Sequence, residues 1–409
     1  MGQEKFKKTS SPTLSLAKYD KGTEIKGEIM GLINYTEEQE KFRKDLREYA
    51  KKEITPNADQ WEADHIVPKS AWKKMGAAGF LCTTVPKEYG GRGLDFVSSA
   101  IAVEEMVKTL QSGLMTVLHS DVVVPYIQSF GSEAQKKKYL PGCVSGDIIT
   151  AVAMTEPDVG SDLSSLQTTA VEDGDEVVLN GTKTFISNGI NCGLVIVAAQ
   201  DPAIENKYAA VSLYIVEDGT PGFERGKHLE KMGMHSQDTA ELFFTDCRIP
   251  KSNVLGEKGN GFIMLMQKLQ QERLVSAIGS VAAAEFILDK TMEYCKETKI
   301  GGKPLCKGQA IQFALVEMAT RVRMNRLLVD NLTLQHAEGK DVTAETMMAK
   351  FESSEMVNEL VDRCLDFYGN SGGLESNPLV RLFRDLRINT IFAGTTEIMK
   401  KIIAKSLAL

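Results

Sequence analysis

The sequence predicts an α+β fold that is mostly helical, with a helical N-terminal domain, a small central β domain and a C-terminal four-helix bundle. Three observations predict it. Helical periodicity fills the chain up to about residue 150, short β-rich runs fill the centre, and long helical patterns fill the last third. We therefore divide the chain into a polar extension (1–30), a helical domain (31–150), a β domain (151–262) and a helical bundle (263–409).

The first thirty residues form the polar extension. They contain six lysines and four acidic residues, and they have neither an arginine nor an apolar core. Without an apolar core the stretch is not a secretory signal, and its acidic residues disfavour a transit peptide.

The helical domain begins at Thr36, because Thr-Glu-Glu followed by a charged run is typical of a helix N-cap. Apolar residues then recur at helical spacing through Ile101, Val103 and Met106, and again over residues 114–127. These patterns predict helices and no strand before residue 150.

The β domain is predicted from four strand-like runs, at residues 176–179, 194–199, 210–216 and 240–244. Asn180-Gly181, directly after the first run, is typical of a hairpin turn. The domain ends before the glycines at 259 and 261, which lead into helical patterning.

The bundle is predicted from apolar stripes at helical spacing. One stripe contains Leu274, Ile278, Val281 and Leu288, and a second contains Phe313, Val316, Ala319 and Val322. A polar Asn-Ser-Gly-Gly stretch at 370–373 interrupts the helical pattern once.

Composition narrows the class of protein. A chain of 409 residues with 43% hydrophobic and 25% charged residues has room for a large core. The net charge of −7 argues against non-specific nucleic-acid binding, and no run is long and apolar enough to cross a membrane. The seven cysteines are scattered without a CxxC, which predicts reduced thiols in the cytoplasm, with the mitochondrial matrix as the alternative. The five histidines lack metal-ligand spacing, so we expect no metal site.

A polar loop at residues 155–162, TEPDVGSD, follows the small apolar run 151–154. A strand that breaks at a proline and then offers Gly, Ser and free backbone N–H groups suits a flat polar ring and a pyrophosphate. An ordinary capped turn is the alternative interpretation of the same residues.

Three further motifs accompany this loop. They are GSEAQKKKYLP at 131–141, NGTKTFISNG at 180–189 and IFAGTTEI at 391–398. In this order and at this spacing, the four motifs resemble the acyl-CoA dehydrogenase family of flavoproteins, from about residue 35 to the end. The resemblance implies a flavin where the β domain meets the C-terminal bundle.

The resemblance also implies a reaction, the desaturation of an acyl-CoA thioester. This chemistry needs a base for the Cα proton, a hydride acceptor for Cβ and hydrogen-bond donors for the developing enolate oxygen. Because no side chain accepts a hydride, FAD is the expected cofactor, and an electron-transfer flavoprotein is the expected electron acceptor. The positions that the resemblance assigns to FAD are Met154, Thr155, Gly160, Ser161, Phe185, Ile186, Ser187, Gln309, Thr395 and Glu397.

The expected base is Glu272. Most of the family has a glutamate directly before Gly-Thr-Thr-Glu, where this chain has Ala393. The isovaleryl- and long-chain branch instead has its glutamate before an arginine in the first helix of the bundle, which corresponds here to Glu272-Arg273. Helical spacing supports this, because Glu272 shares a face with two leucines, and partial burial there would raise its pKa. The alternative is a surface acid paired with Lys268.

Substrate contacts are also implied by the resemblance. The backbone N–H of Ala393, beside Gly394, would polarise the thioester carbonyl, which needs no side chain. The segment from Gln270 to Arg273 would approach CoA, and Ser161 is expected to contact it as well.

Four positions depart from the family pattern. Thr298 and Gly301 replace an Arg and a Phe, and Asp366 and Asn370 replace a Gln and a Gly, in motifs that reach the FAD of the neighbouring subunit. A homotetramer is one hypothesis. In the other, a related chain in a hetero-oligomer supplies the missing groups, and this chain is a half-site or scaffold subunit. An enzyme for carrier-protein-bound acyl groups is a further alternative.

Overall fold

The computed structural model describes residues 31–409, and the extension predicted over 1–30 lies outside this range. Six helices precede the sheet in the described residues, and π-helical turns at Ala50–Ile54 and Leu118–Val123 extend two of the helical stretches. The helices are α1 (Glu37–Tyr49), α2 (Ala58–Asp64), α3 (Lys69–Ala77), α4 (Phe96–Val107), α5 (Val124–Phe130) and α6 (Glu133–Ser145).

The predicted helix start at Thr36 is confirmed. The Thr36 hydroxyl accepts a hydrogen bond from the N–H of Gln39, and the Gln39 side chain accepts one from the N–H of Thr36. Ser132 and Gln135 form the same reciprocal cap at the start of α6. Each cap satisfies two backbone donors that a helix end otherwise leaves unpaired.

The predicted β domain is confirmed as one eight-stranded sheet with the order β6-β7-β3-β2-β4-β5-β8, in which β1 pairs in parallel with β4. A short helix, α7 (Lys207–Ala210), precedes β5. The strands are β1 (Thr150–Ala153), β2 (Thr169–Asp173), β3 (Glu176–Ile186), β4 (Leu194–Gln200), β5 (Val211–Glu217), β6 (Phe223–His228), β7 (Ala240–Pro250) and β8 (Val254–Leu255).

The predicted hairpin turn at Asn180-Gly181 is wrong, because both residues lie inside β3. The strand is irregular there, and a Cβ on Gly181 would lie 2.6 Å from the Thr168 hydroxyl. Glycine is therefore required for the close approach of another chain segment rather than for a turn. The turn between β2 and β3 lies instead at Gly174, which has a φ of 61°.

The C-terminal part is a bundle of four helices with a fifth short one, and a small hairpin separates the first two. The elements are α8 (Gly261–Glu297), β9 (Lys299–Ile300), β10 (Lys303–Pro304), α9 (Gln309–Ala337), α10 (Thr343–Phe367), α11 (Pro378–Leu386) and α12 (Thr396–Ser406). The predicted interruption at 370–373 is confirmed as a 3₁₀ turn, Gly369–Gly373.

The first predicted apolar stripe is confirmed, because Leu274 and the three residues that follow it at helical spacing are buried in α8. The second stripe is wrong in its first half. Phe313 and Val316 are 59% and 63% exposed, and Leu315, Met318 and Val322 face the bundle instead. The apolar residues of α9 therefore occupy two faces, of which only one belongs to the core of this chain.

A buried network of charges joins the N-terminal helices to the bundle. Arg326 of α9 makes a bidentate pair with Glu285 of α8 at 2.6 and 2.8 Å, and its third nitrogen donates to Glu104 of α4 at 2.7 Å. Arg43 of α1 donates to the other oxygen of Glu104 at 2.7 Å. Burial would raise the pKa of Glu104, but Arg326 and Arg43 together hold it below its usual value. Four helices thus meet at one set of hydrogen-bonded charges.

Residues 31–409 form one compact unit, so the division at 150 and 262 stays our proposal. In this part of the chain no helix is long and apolar enough to cross a membrane.

Replacing Arg326 with leucine should lower the free energy of unfolding by up to about 3–5 kcal/mol, because Glu285 would lose its charged partner and buried Glu104 would keep only Arg43. Urea denaturation followed by circular dichroism measures the change. Arg321→Leu on the same helix is the control, since Arg321 pairs with Glu352 near the surface and should contribute about 1 kcal/mol or less. Equal effects of the two substitutions would contradict the role given to Arg326.

Candidate active site

A cavity of about 260 Å³ lies between α4, α8 and the segment that contains α11 and Ala393. Its walls are mainly apolar, with Val103, Met106 and Val107 on one side. Glu272, Gly279 and Ala283 lie on the facing wall, where small side chains leave space. The cavity therefore suits an apolar chain, with the carboxylates of Glu272 and Asp385 in its lining.

Glu272 is the acidic residue of α8 in this cavity, and it recurs with Ser276, Gly279 and Ala283 on one helix face. Its Oε2 atom is buried and has no hydrogen-bond partner among residues 31–409. Burial raises the pKa of Glu272, and the positive charges of Arg273 and Lys350 oppose that shift. The carboxylate is thus destabilised and free to accept a proton.

The alternative in which Glu272 is a surface acid paired with Lys268 is wrong. The Lys268 ammonium donates to the Ser129 hydroxyl at 2.6 Å and lies over the Phe130 ring. It is therefore committed to α5, and Glu272 faces the cavity without it.

Ala393 lines the same cavity as Glu272 and lies in a turn with left-handed backbone angles. Ala393 has a φ of 53° and Gly394 a φ of 90°, both in the left-handed region. A Cβ on Gly394 would lie 2.6 Å from the Met399 side chain and 3.8 Å from the Arg273 guanidinium. The turn brings the backbone of Ala393 to the cavity and the backbone of Gly394 to Arg273.

A buried ion pair between Lys183 and Glu156 stabilises the loop at 155–162. The Lys183 ammonium of β3 donates to the Glu156 carboxylate at 2.8 Å and to the Met154 carbonyl at 3.2 Å. The other Glu156 oxygen accepts from the N–H of Gln167 at 2.6 Å. The start of the loop is thereby tied to β3 and to the segment before β2, while Gly160 and Ser161 remain exposed at its tip.

Thr155 lies next to the end of β3, because the N–H of Thr184, the residue before Phe185, donates to the Thr155 carbonyl at 2.9 Å. Phe185 sits at an irregularity of β3 with a φ of 56°, and its ring is 69% exposed. A bulky residue in the left-handed region is strained, and such strain clusters at binding sites. An exposed aromatic ring held at this cost is suited to a flat partner.

The other predicted residues differ in position. Ile186 is buried in the core of the sheet, so only its backbone is available, and Ser187 is half-buried in the turn that follows β3. Thr395 caps α12 through its hydroxyl, and Glu397 is exposed in the first turn of that helix.

Gln270 and Gln309 lie away from the cavity. The Gln270 amide joins α8 to His336 near the end of α9, at 2.9 Å, and to the N–H of Val342 in the loop before α10, at 3.0 Å. Gln309 is exposed at the start of α9. Neither is brought to Glu272 in this chain.

Family models match nearly the whole chain. Those described as the acyl-CoA dehydrogenase N-terminal, middle and C-terminal domains match residues 36–147, 151–247 and 259–408. The chain belongs to the acyl-CoA dehydrogenase family.

Individual relatives cover most of the chain as well. The long-chain specific acyl-CoA dehydrogenase of Sus scrofa mitochondria is 38% identical over 91% of this chain and 87% of its own. The crystal structure of acyl-CoA dehydrogenase from Geobacillus kaustophilus is 45% identical, with a TM-score of 0.91 over 93% of this chain and all of its own. A chain from the structure titled electron transferring flavoprotein of Acidaminococcus fermentans is 36% identical, with a TM-score of 0.88 over 92% of this chain and 99% of its own.

As a member of this family, the chain is an FAD-dependent oxidoreductase that dehydrogenates acyl-CoA. Its residues fit the cofactor. Phe185 presents an exposed ring under backbone strain, and the exposed Gly160 leaves the loop tip open to close approach. The acyl-CoA dehydrogenase fold is present throughout residues 31–409, with helices, strands and helices in the predicted order.

The sequence did not reveal three groups near the site. In the sequence Lys183 is one residue of a motif and Glu156 is one residue of a loop. Lys350 belongs to neither motif nor loop. The signal was a charged residue inside an otherwise apolar stretch, as in the Met-Met-Ala-Lys-Phe run that contains Lys350. A buried lysine needs a reason, which such a pattern can indicate.

Replacing Lys183 with methionine should weaken FAD binding at least about tenfold, because the loop at 155–162 would lose its anchor and Glu156 its counter-charge. The dissociation constant can be measured by flavin fluorescence as FAD is added back to the apoprotein. Lys258→Met is the control, since Lys258 is a surface lysine paired with Glu172. Equal affinity in both variants would show that the pair does not support the loop.

Proposed function

We propose that Glu272 removes the Cα proton of an acyl-CoA whose acyl chain occupies the cavity beside it. The observation that carries this proposal is the Oε2 atom of Glu272, buried in a mainly apolar cavity with no hydrogen-bond partner in residues 31–409. Burying a carboxylate oxygen without a hydrogen-bond partner costs about 1–3 kcal/mol. A proton accepted from the substrate would give this oxygen the partner that it lacks.

Burial is the cause of the basicity. It disfavours the charged carboxylate and so raises the pKa of Glu272, while Arg273 and Lys350 keep the shift in check. A base with a raised pKa is better matched to a weak carbon acid, provided that it is still ionised at the working pH. Arg273 and Lys350 favour the ionised carboxylate and so help Glu272 to stay ionised.

The thioester carbonyl would be polarised by the backbone N–H of Ala393. Ala393 lines the cavity in a left-handed turn with Gly394, which supports this proposal, and the role needs no side chain. Ser161 and Arg273 remain our candidates for contacts to CoA, together with the Gln270 to Arg273 segment. For Gln270 itself, the amide is already occupied by bonds within the chain.

The FAD that this family uses supplies the acceptor for the Cβ hydride. In this chain Met154, Thr155, Gly160, Ser161, Phe185, Ile186, Ser187, Thr395 and Glu397 would hold it, with Gln309 reaching a neighbouring subunit's site. The Thr155 carbonyl accepts a hydrogen bond from the N–H of Thr184, directly before Phe185, which supports a shared role for these two positions.

We propose an electron-transfer flavoprotein as the electron acceptor. The support is the likeness to a chain in a structure titled electron transferring flavoprotein of Acidaminococcus fermentans. The compartment that we propose is the cytoplasm, with the mitochondrial matrix as the alternative, since the Sus scrofa relative is named mitochondrial. All seven cysteines are free thiols, which fits either reducing compartment.

For assembly we propose a homotetramer with one FAD per chain. Phe313, Val316 and Met324 form an exposed apolar face of α9, which supports burial against another subunit. The second candidate is a hetero-oligomer with a related chain. It is favoured by the absence of the family's Arg, Phe and Gln at positions 298, 301 and 366, which removes partners for a neighbour's FAD.

Glu272→Gln should leave FAD bound and abolish flavin bleaching by acyl-CoA, because the amide keeps the shape and cannot accept the proton. The expected loss is about 10²–10⁴ in the rate of flavin reduction measured by stopped flow. In the wild type this rate should fall as the pH drops through the raised pKa of Glu272. Glu293→Gln, an exposed acid of the same helix, is the control. A variant that bleaches at the wild-type rate would place the base elsewhere.

The chain purified alone should form a tetramer that carries one FAD per subunit, as native mass spectrometry and flavin absorbance measure together. Thr298→Arg should then tighten FAD binding about tenfold or more, since an arginine adds a charge-assisted bond to the pyrophosphate. Fewer flavins than chains, restored only by a related chain, would overturn the homotetramer and support the hetero-oligomer.

A further inference from the structure

We propose that Lys350 is a positioning residue for the reaction, which fixes the Ala393–Gly394 turn and places a positive charge beside Glu272. Lys350 lies in the middle of α10 and is 0% exposed. Its ammonium group donates to the carbonyl oxygen of Gly394 at 2.6 Å. The inference rests on the proposed role of Glu272 as the base.

The burial of Lys350 calls for an explanation. Moving an ammonium group out of water costs several kcal/mol, and an apolar side chain of similar volume at such a site is often neutral or stabilising. Within residues 31–409, the one hydrogen bond of its Nζ atom goes to Gly394, and it has no salt bridge within 4.0 Å. Stability of the fold is therefore a poor reason for a lysine here.

The hydrogen bond acts on a strained part of the backbone. Ala393 holds a positive φ that a residue with a Cβ adopts only when its surroundings enforce it. Lys350 fixes the carbonyl that follows this residue, and the Thr395 hydroxyl fixes the next turn by capping α12. Both contacts act on the residues directly after Ala393 and so restrain this turn, and Ala393 itself lines the cavity that also contains Glu272.

The charges around Lys350 give it a second effect. The charged groups that act on its ammonium are Arg273 and Glu272 of α8 and Glu397 of α12. Burial lowers the pKa of Lys350 to about 8, Arg273 adds to that shift, and the two glutamates oppose it. In return Lys350 opposes the rise in the pKa of Glu272. Without its charge, Glu272 should become protonated at a higher pH.

Two substitutions separate the two effects. Lys350→Gln removes the charge and keeps a donor for Gly394, whereas Lys350→Met removes both at similar length. We expect both variants to shift the pH dependence of flavin reduction upward by about one unit, because each loses the cation beside Glu272. Only Lys350→Met should also lower the plateau of kcat, by on the order of 10²-fold with little change in KM, because the turn is no longer fixed.

A measurement without flavin tests the charge effect directly. Infrared difference spectra of the apoprotein, wild type minus Glu272→Gln, isolate the C=O band of the protonated Glu272 carboxyl. This band should appear at a higher pH in both Lys350 variants. Lys400→Met is the matched control, since Lys400 pairs with Glu355 at the surface between the same two helices, α10 and α12.

The outcomes are distinguishable. If either Lys350 variant retains FAD and shows the wild-type kcat, pH profile and Glu272 titration, the proposal is wrong. If Lys350→Met does not fold, the Gln variant decides the charge effect by the same criteria. If Glu272→Gln still bleaches its flavin at the wild-type rate, the proposed function fails instead, independently of Lys350.

Discussion

The cavity depends on the charged network around Arg326. One wall of the cavity is α4 and the other is α8, and these two helices are far apart in the chain. Arg326 donates to Glu104 on the first wall and to Glu285 on the second, with nitrogen to oxygen distances of 2.6–2.8 Å. These acids lie one turn or less from Val103 and Ala283, which line the cavity. The spacing between the walls is thus fixed by hydrogen bonds of defined length, and the small residues of α8 leave that space open instead of closing it.

The polar groups around Glu272 are satisfied less completely. Glu272 Oε2, which lines the cavity, and Arg273 Nε are both buried without a hydrogen-bond partner in the described chain, and Lys350 has a single one. Each unpaired buried group costs about 1–3 kcal/mol, which the rest of the fold must offset. A site that holds its charges in advance needs little reorganisation when the thioester arrives, which is the main source of electrostatic catalysis.

The sequence predicted what local rules determine. The cap at Thr36 and the stripe in α8 depend on residues three or four positions apart, so spacing alone sufficed, and the same spacing located Glu272 on an apolar face. It was wrong where distant segments decide. Gly181 resembles a turn residue because the approach of Thr168 is invisible in the sequence, and Phe313 resembles a core residue because apolar character does not reveal which partner covers it. The pairs between Lys183 and Glu156 and between Lys350 and Gly394 depend on tertiary contacts. A lysine in an apolar run indicates burial, but it does not reveal the partner.

The difference between constraints within the chain and their absence also explains why only some of the predicted flavin positions keep the family's residue. Thr155, Phe185 and Thr395 are tied into this chain by a β-strand bond, a bulge and a helix cap, so a change at these positions disturbs the fold as well as the cofactor. Gly301, Asp366 and Asn370 are exposed at a tight turn and a helix end, where a change costs this chain little. The fold of this chain therefore constrains the residues in the sheet and the α12 cap, and it leaves the residues at positions 301, 366 and 370 free to vary.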